Sequence, residues 1–206
     1  MPEKEKNTKA FTGLTDFYYG TLKNDDSAIT EEAAIRLKFL QNITISTGQD
    51  LVKAYGDNTV AEMAMATDVT TLTTQFHTIP ITDRATLYGF IKSDDLYGLP
   101  ASPNPPYVAC MFSKTREDGS AEHIGFTKGK FKMADTEGQT KGDTVEFGND
   151  SAEGEFMSRA VNGIDEEVTF LIASDEPGKT ENRDKLYKTI FGVEHPDAKK
   201  PEDNPS

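Results

Sequence analysis

The fold is decided by Tyr107-Val108-Ala109-Cys110-Met111-Phe112-Ser113-Lys114-Thr115, which is followed by Arg116-Glu117-Asp118-Gly119-Ser120. The first run is apolar and has the length of a buried β-strand. Asp118-Gly119 favours a tight hairpin turn, because both central positions of such a turn need a positive φ. A second strand is therefore predicted to return from His123 to Met133.

Much of the remaining chain alternates apolar and polar residues with a period of two, which is typical of half-buried strands. Residues 35–45 and 71–76 show this alternation most clearly. Further strands are predicted near the end of the chain, with a turn at Asn162-Gly163. These strands are Thr144–Phe147, Glu153–Val161 and Glu167–Ala173.

Two segments have helical patterns. Thr82 is expected to cap a short helix that ends before Gly89. The firmer helix is Glu181–Phe191, which has one apolar stripe, acidic residues in its first turn, lysines in its last turn and Gly192 after its end. Those charges complement the helix dipole. The sequence therefore predicts a mainly β protein, a β-sandwich or barrel with one or two flanking α-helices.

Charge excludes one large class of function. The 206 residues carry a formal net charge of −13, and residues 131–176 hold twelve acidic and three basic side chains. A protein that binds nucleic acid through its phosphates needs a cationic surface, so a DNA-binding module is not expected. The acidic segment is either a solubilising surface or a single acidic face past which DNA can slide without being bound.

The residues that could support catalysis or metal binding are scattered. His77, His123 and His195 lack metal-ligand spacing, since a zinc site needs three or four converging ligands. Cys110 lies in an apolar run and is expected to be an inert core thiol. An acidic pair such as Asp135 and Glu153 is the strongest enzymatic alternative, but it has little weight in a chain with 35 acidic residues.

Gly125 and Gly129 lack the spacing of a phosphate-binding loop and are interpreted as strand glycines. The sequence also shows neither a signal peptide nor an apolar run long enough to cross a membrane. We therefore expect no enzyme, no cofactor, no bound metal and no membrane association.

Several blocks, taken in their order and spacing, resemble the major tail protein family of long-tailed, non-contractile bacteriophages that infect Gram-positive bacteria. The resemblance runs from about Gly13 to Val193, and the tail after Glu194 lies outside it. The blocks are Gly13-Leu14-Thr15-Asp16-Phe17-Tyr18-Tyr19-Gly20, Ala54-Tyr55-Gly56-Asp57-Asn58, Ala61-Glu62-Met63-Ala64, Asn104-Pro105-Pro106-Tyr107-Val108-Ala109, Lys114-Thr115-Arg116-Glu117-Asp118-Gly119-Ser120, Glu181-Asn182-Arg183-Asp184 and Ile190-Phe191-Gly192-Val193.

The resemblance implies a structural virion protein with no catalytic residues. Copies would assemble into hexameric rings that stack into the tail tube, with long hairpins joining neighbours, and DNA would pass through without specific binding. The implied partners are further copies of the chain and other tail proteins, such as the tape-measure and terminator proteins. The implied location is the virion tail, assembled in the cytoplasm of the bacterial host.

The domain layout follows from the resemblance and the composition of the ends. Residues 13–194 are expected to form a single tail-tube domain. Residues 1–12 are expected to be flexible and residues 195–206 disordered, because both ends lack apolar anchors.

Two sets of residues are predicted to carry the function. The edges of the hairpin from Tyr107 to Met133 should pair with a neighbouring subunit, with Tyr107, Val108, Phe112, Phe126 and Thr127 as the assembly residues. The residues predicted to face the lumen are acidic: Asp135, Glu137, Asp143, Glu146, Glu153 and Glu155.

Two alternatives stay open. One is the tube protein of a contractile tail or of a secretion system. The other is a carbohydrate-binding β-sandwich adhesin, which should be secreted or carry a concave aromatic platform; the sequence shows neither.

Overall fold

The computed structural model describes residues 8–56, 59–134 and 148–198, and only the backbone at 50, 54–56, 60, 61 and 64–68. This part of the chain is mainly β with two helices. The strands are β1 Phe11–Thr21, β2 Ile35–Leu37, β3 Leu40–Gly56, β4 Thr59–Phe76, β5 Ile91–Ser93, β6 Leu96–Gly98, β7 Val108–Arg116, β8 Ala121–Met133, β9 Asp150–Met157 and β10 Phe170–Asp175; the helices are α1 Ile81–Tyr88 and α2 Glu181–Phe191.

The residues divide into two compact units. The first comprises Met1–Lys38, Val108–Thr127 and Arg159–Ser206, and the second comprises Phe39–Tyr107 and Lys128–Ser158. β8 runs through both, so the single domain expected for residues 13–194 stays a prediction. Within the described residues the sheets do not close into a barrel, and the fold fits a β-sandwich with flanking helices.

In the first unit the strand order is β2-β1-β7-β8, and β10 pairs with β8 at Ala121–Phe126. One face is covered by α2. Gly125 allows this close approach, because a Cβ there would lie 2.6 Å from Ile190 Cγ1. The residues buried in the hydrophobic core of this unit are Tyr18, Leu22, Ile29, Ala34, Ala109, Met111, Leu186, Tyr187, Ile190 and Phe191.

Both ends of α2 are fixed by buried polar groups. The Asp175 carboxylate accepts the backbone N–H groups of Asn182 at 3.1 Å and Arg183 at 2.9 Å. At the other end, the buried Arg159 guanidinium donates to the carbonyl oxygens of Asp26 and Ile190, both at 2.7 Å. Free N–H groups at a helix start and free carbonyls at its end need such partners. The helix has the predicted bounds.

The second unit has the strand order β8-β9-β4-β3, with all pairs antiparallel. α1 ends at Tyr88, before Gly89 as predicted, and Gly89 caps it with a φ of 69°. Thr82 does not cap this helix: Pro80 holds the N-cap position and Thr82 lies inside the first turn. The fully buried large side chains of this unit include Leu72, Phe76, Ile79, Phe131 and Phe156.

The predictions for the chain ends need correction. β1 begins at Phe11, inside the segment 1–12 that was expected to be flexible. His195 was expected in a disordered tail, but it is 3% exposed and lies edge-on to Tyr187, with ring centroids 4.7 Å apart. The His195 ring packs against the rings of Tyr18 and Tyr187. The prediction considered only apolar residues as anchors and so missed this aromatic contact. Residues 199–206 lie outside the described part.

The late strands are also shifted from their predicted positions. β9 ends at Met157, and only an isolated bridge between Arg159 and Val168 follows it. β10 begins at Phe170 rather than at Glu167. The predicted strand Thr144–Phe147 lies outside the described residues.

Candidate assembly and channel surfaces

The hairpin of β3 and β4 is the longest in the described chain, with strands of 17 and 18 residues. Its register runs from Leu40–Phe76 to Gly56–Thr59. β9 covers the outer edge of β4 only at Thr70–Phe76, and β3 pairs with no other described strand. Within the described ranges, residues 47–56 and 60–68 of the hairpin therefore pair with no strand other than each other.

This distal part of the hairpin also exposes apolar side chains. Leu51 is 54% exposed, Val52 57% and Met63 60%, and Val69 is 43% exposed. Leu51 and Val52 are consecutive in an extended strand, so they point to opposite faces. Open strand edges and exposed apolar side chains are typical of surfaces that bind another chain.

The hairpin of β7 and β8 was predicted to be the assembly hairpin, and its surroundings contradict that prediction. β7 pairs with β1 from Phe11–Arg116 to Thr21–Val108. β8 pairs with β10 in its first half and with β9 in its second half. Both strands thus have partners within the same chain on the edges that were expected to be open.

Four of the five named assembly residues confirm this central position. Val108, Phe112, Phe126 and Thr127 are completely buried, and only Tyr107 is exposed. The backbone N–H of Thr127 donates to the Thr169 carbonyl at 3.0 Å, and its hydroxyl donates to the Val168 carbonyl at 2.7 Å. A proline at Thr127 would remove the first of these hydrogen bonds and disrupt the fold of the subunit itself.

The sheet of the second unit has one buried face and one polar face. The buried face carries Leu72, Phe131 and Phe156. On the polar face, adjacent strands place Lys130, Glu155, Thr71 and Ser46 in one cross-strand row. The next row contains Lys132, Glu153, Thr73 and Thr44. We call this exposed surface the polar face.

Two of the six acidic residues predicted to line a lumen lie on the polar face. Glu153 is half-buried and Glu155 is exposed. Both carboxylates contact the Lys132 ammonium, at 2.8 Å and 3.1 Å, and raise the pKa of that lysine. The other four, Asp135, Glu137, Asp143 and Glu146, lie outside the described residues.

The polar face also carries a row of lysines that the sequence interpretation missed. Lys128, Lys130 and Lys132 alternate along β8 and so project from the same side. The Tyr107 ring lies 4.5 Å from the Lys128 ammonium and 4.6 Å from that of Lys130. Lys130 also donates to Asn104 Oδ1 at 3.0 Å. The alternation Lys-Gly-Lys-Phe-Lys was a visible signal for this row.

The residues considered for catalysis have structural positions. Cys110 is fully buried, and burial raises the pKa of its thiol well above the usual value, so it is not a nucleophile. Gly125 and Gly129 are strand glycines, as predicted. Among the described residues, no group of three or more His, Cys, Asp or Glu side chains could hold a metal ion.

One buried cluster resembles a catalytic triad in composition. Ser113 Oγ lies 2.7 Å from His123 Nδ1, and His123 Nε2 lies 3.4 Å from Asp175 Oδ2. All three residues are at most 4% exposed, so no substrate reaches the hydroxyl. Asp175 is already engaged with the start of α2. The cluster therefore holds β7, β8 and the helix together, and no sequence spacing could have revealed it.

Comparison with known proteins identifies the protein family. A model of the phage tail tube protein family matches residues 40–197. The chain belongs to this family. Tail tube proteins are structural and not enzymatic, and the chain is a component of the virion tail that assembles with itself and with other tail proteins.

The match covers the β3–β4 hairpin, the polar face and His195, and it extends past Glu194, where the resemblance seen in the sequence ended. No curated protein matches the chain. None of the helices in the described ranges has the length and apolar character needed to cross a membrane. For a tail tube protein the open hairpin and the polar face are therefore the two surfaces of interest.

Proposed function

We propose that this tail tube protein forms hexameric rings that stack into the tube of a non-contractile tail, through which phage DNA is ejected. The observation that carries the proposal is the β3–β4 hairpin with its open edges and exposed Leu51, Val52 and Met63. An open edge that pairs with a different surface of the next copy makes a heterologous contact, and such contacts form a ring when the rotation between successive copies closes.

The polar face supports the second half of the proposal. A wall that lets DNA slide must not present a free cationic surface. Thr44, Thr71, Thr73 and Ser46 supply neutral hydroxyl groups, and Glu153 and Glu155 supply negative charge. The proposal places this face towards the channel, together with Asp135, Glu137, Asp143 and Glu146.

The proposal includes the rest of the assembly. Tape-measure and terminator proteins would set the length and end of the tube, and DNA would pass without specific binding. Assembly would take place in the cytoplasm of a Gram-positive host. No sequence-specific contact with DNA is needed for any of these steps.

Electron microscopy of the purified chain at high concentration tests the assembly. Rings or tubes are expected, because the open hairpin edges gain partners when copies meet. A stable monomer that binds glycans would contradict the proposal and favour the adhesin.

Chemical labelling tests which face lines the channel. Thr73→Cys places a thiol on the polar face, and Glu166→Cys places a matched thiol on an exposed loop of the first unit. A bulky polyethylene-glycol maleimide should modify both in unassembled protein, but only the second in tubes. Equal modification of both thiols in tubes would show that the polar face lies outside.

A further inference from the structure

The three lysines of the polar face raise a problem for a wall that conducts DNA. Successive side chains on one side of a strand are about 6.7 Å apart, so Lys128, Lys130 and Lys132 form a line of ammonium groups along the surface. Such a line would bind phosphates and release their counterions. Other groups of the protein must therefore bind these ammonium groups if DNA is to move freely.

Each lysine of the row contacts groups of the same chain. Lys132 bridges Glu153 and Glu155, which face it from the neighbouring strand. Lys128 and Lys130 lie over the Tyr107 ring, within the range of a cation–π interaction. Asn104 Oδ1 accepts a hydrogen bond from Lys130 at 3.0 Å.

We infer that Glu153, Glu155, Tyr107 and Asn104 hold the lysine row on its own surface and so keep it from binding the phosphate backbone of the passing DNA. The inference rests on the proposed position of the polar face in the channel. It assigns a role at this surface to Tyr107, which is exposed although the next residue, Val108, is completely buried. It also gives Glu153 and Glu155 a specific partner, Lys132. Repulsion of DNA by itself would require only that these residues be negatively charged.

A model in which only the net charge of the wall matters makes a different prediction from a model in which specific contacts hold the lysines. If only net charge matters, a substitution that leaves the charge unchanged has no effect on ejection. Tyr107→Leu is such a substitution: it removes the ring from Lys128 and Lys130 and changes no charge. Tyr107→Phe keeps the ring and is the conservative variant.

The test measures DNA ejection from virions assembled with each variant, at low and at moderate salt. Tyr107→Leu should slow ejection at least about twofold, the equivalent of one exposed cation–π contact, with a steeper salt dependence. Tyr107→Phe should restore the rate. Equal rates for Tyr107→Leu, Tyr107→Phe and the unchanged protein would overturn the inference.

A second set of variants decides the matter if Tyr107→Leu does not assemble. Glu153→Gln/Glu155→Gln should slow ejection by freeing Lys132, and adding Lys132→Gln should return it fully to the original rate. Asp165→Asn/Glu166→Gln changes net charge equally on an exposed loop and should have no effect. Unchanged ejection from Glu153→Gln/Glu155→Gln, or a rate only half restored by Lys132→Gln, would overturn the inference.

Failure of this inference can be told from failure of the proposed function. Labelling of Thr73→Cys in tubes reports whether the polar face lines the channel at all. The Tyr107 and Lys132 variants report only what holds the lysines there.

Discussion

The chain contains two long hairpins that differ in what surrounds their edges. β7–β8 has a tight turn at Gly119, an apolar composition and chain partners on both sides. β3–β4 is longer and more polar, and no other described strand pairs with its residues 47–56 and 60–68. Strong apolar character therefore marked the hairpin that builds the subunit, whereas moderate apolar character with open edges marks the one available for assembly.

The largest effect should come from the buried hairpin. Phe112→Ala removes a completely buried ring from β7 and should lower the free energy of unfolding by about 3–5 kcal/mol. Val52→Ala, on the exposed β3, should change it by no more than about 0.5 kcal/mol. Chemical denaturation of the unassembled proteins measures both. Similar losses for the two variants would remove the distinction between the hairpins.

The exposed hairpin should control assembly without affecting the fold. Leu51→Asp/Val52→Asp places two charges on the apolar sides of β3 and should abolish tubes, because burying unpaired carboxylates at a contact is costly. The unfolding transition of the subunit should stay the same. Ile91→Asp/Leu96→Asp introduces the same charges into the exposed pair β5–β6 and is the matched control. Tubes from the first variant, seen by electron microscopy, would exclude this hairpin from the interface.

Local patterns predicted the two helices, the β7–β8 hairpin and parts of β3, β4, β9 and β10, but not the full length of the β3–β4 hairpin, the pair β5–β6 or which edges are open. Gly89, Gly119 and Gly192 were expected to end elements, and all three have a positive φ. The bounds of α2 follow from its apolar stripe and flanking glycine. Whether a strand edge is paired depends on contacts between distant segments, such as β1 with β7, and no local pattern contains that information.

The site predictions likewise succeeded where a local pattern decides the outcome and failed where contacts between distant segments decide it. Burial of Phe112 followed from its apolar run, whereas burial of Phe126, which was predicted to be an assembly residue, did not. The partners of Glu153 and Glu155 did not follow from a local pattern either, because Lys132 lies more than twenty residues earlier and meets them only through the register of β8 with β9. The Ser113–His123–Asp175 cluster likewise depends on three separate strands.

The turn of the buried hairpin gives a smaller effect. Gly119 has a φ of 83°, and a Cβ there would meet no atom closer than 3.8 Å, so the cost of a side chain is conformational. Gly119→Ala should lower the free energy of unfolding by about 1–2 kcal/mol. Tube formation should persist. Thermal unfolding checks the first statement, and an unchanged transition would mean that the turn relaxes to a negative φ.

The smallest expected difference between the two hairpins is in their response to acid. Low pH should destabilise the β7–β8 hairpin through His123. His123 of β8 is buried, and burial lowers its pKa below the usual value of 6.5, although Asp175 acts against this shift. The other charged groups near it are Arg183 and Asp16. Burial also lowers the pKa of His195. The β3–β4 hairpin contains no histidine.

A histidine with a lowered pKa binds its proton more weakly in the folded than in the unfolded state. Its contribution to stability is therefore present above pH 6.5 and is lost as the pH falls towards the lower, folded pKa. The loss is at most about 1.4 kcal/mol per pH unit for each histidine. His123→Gln should flatten this dependence. Denaturant unfolding of the unassembled proteins across this range measures the slopes. Equal slopes for His123→Gln and the unchanged protein would show that the buried hairpin does not respond to acid through His123.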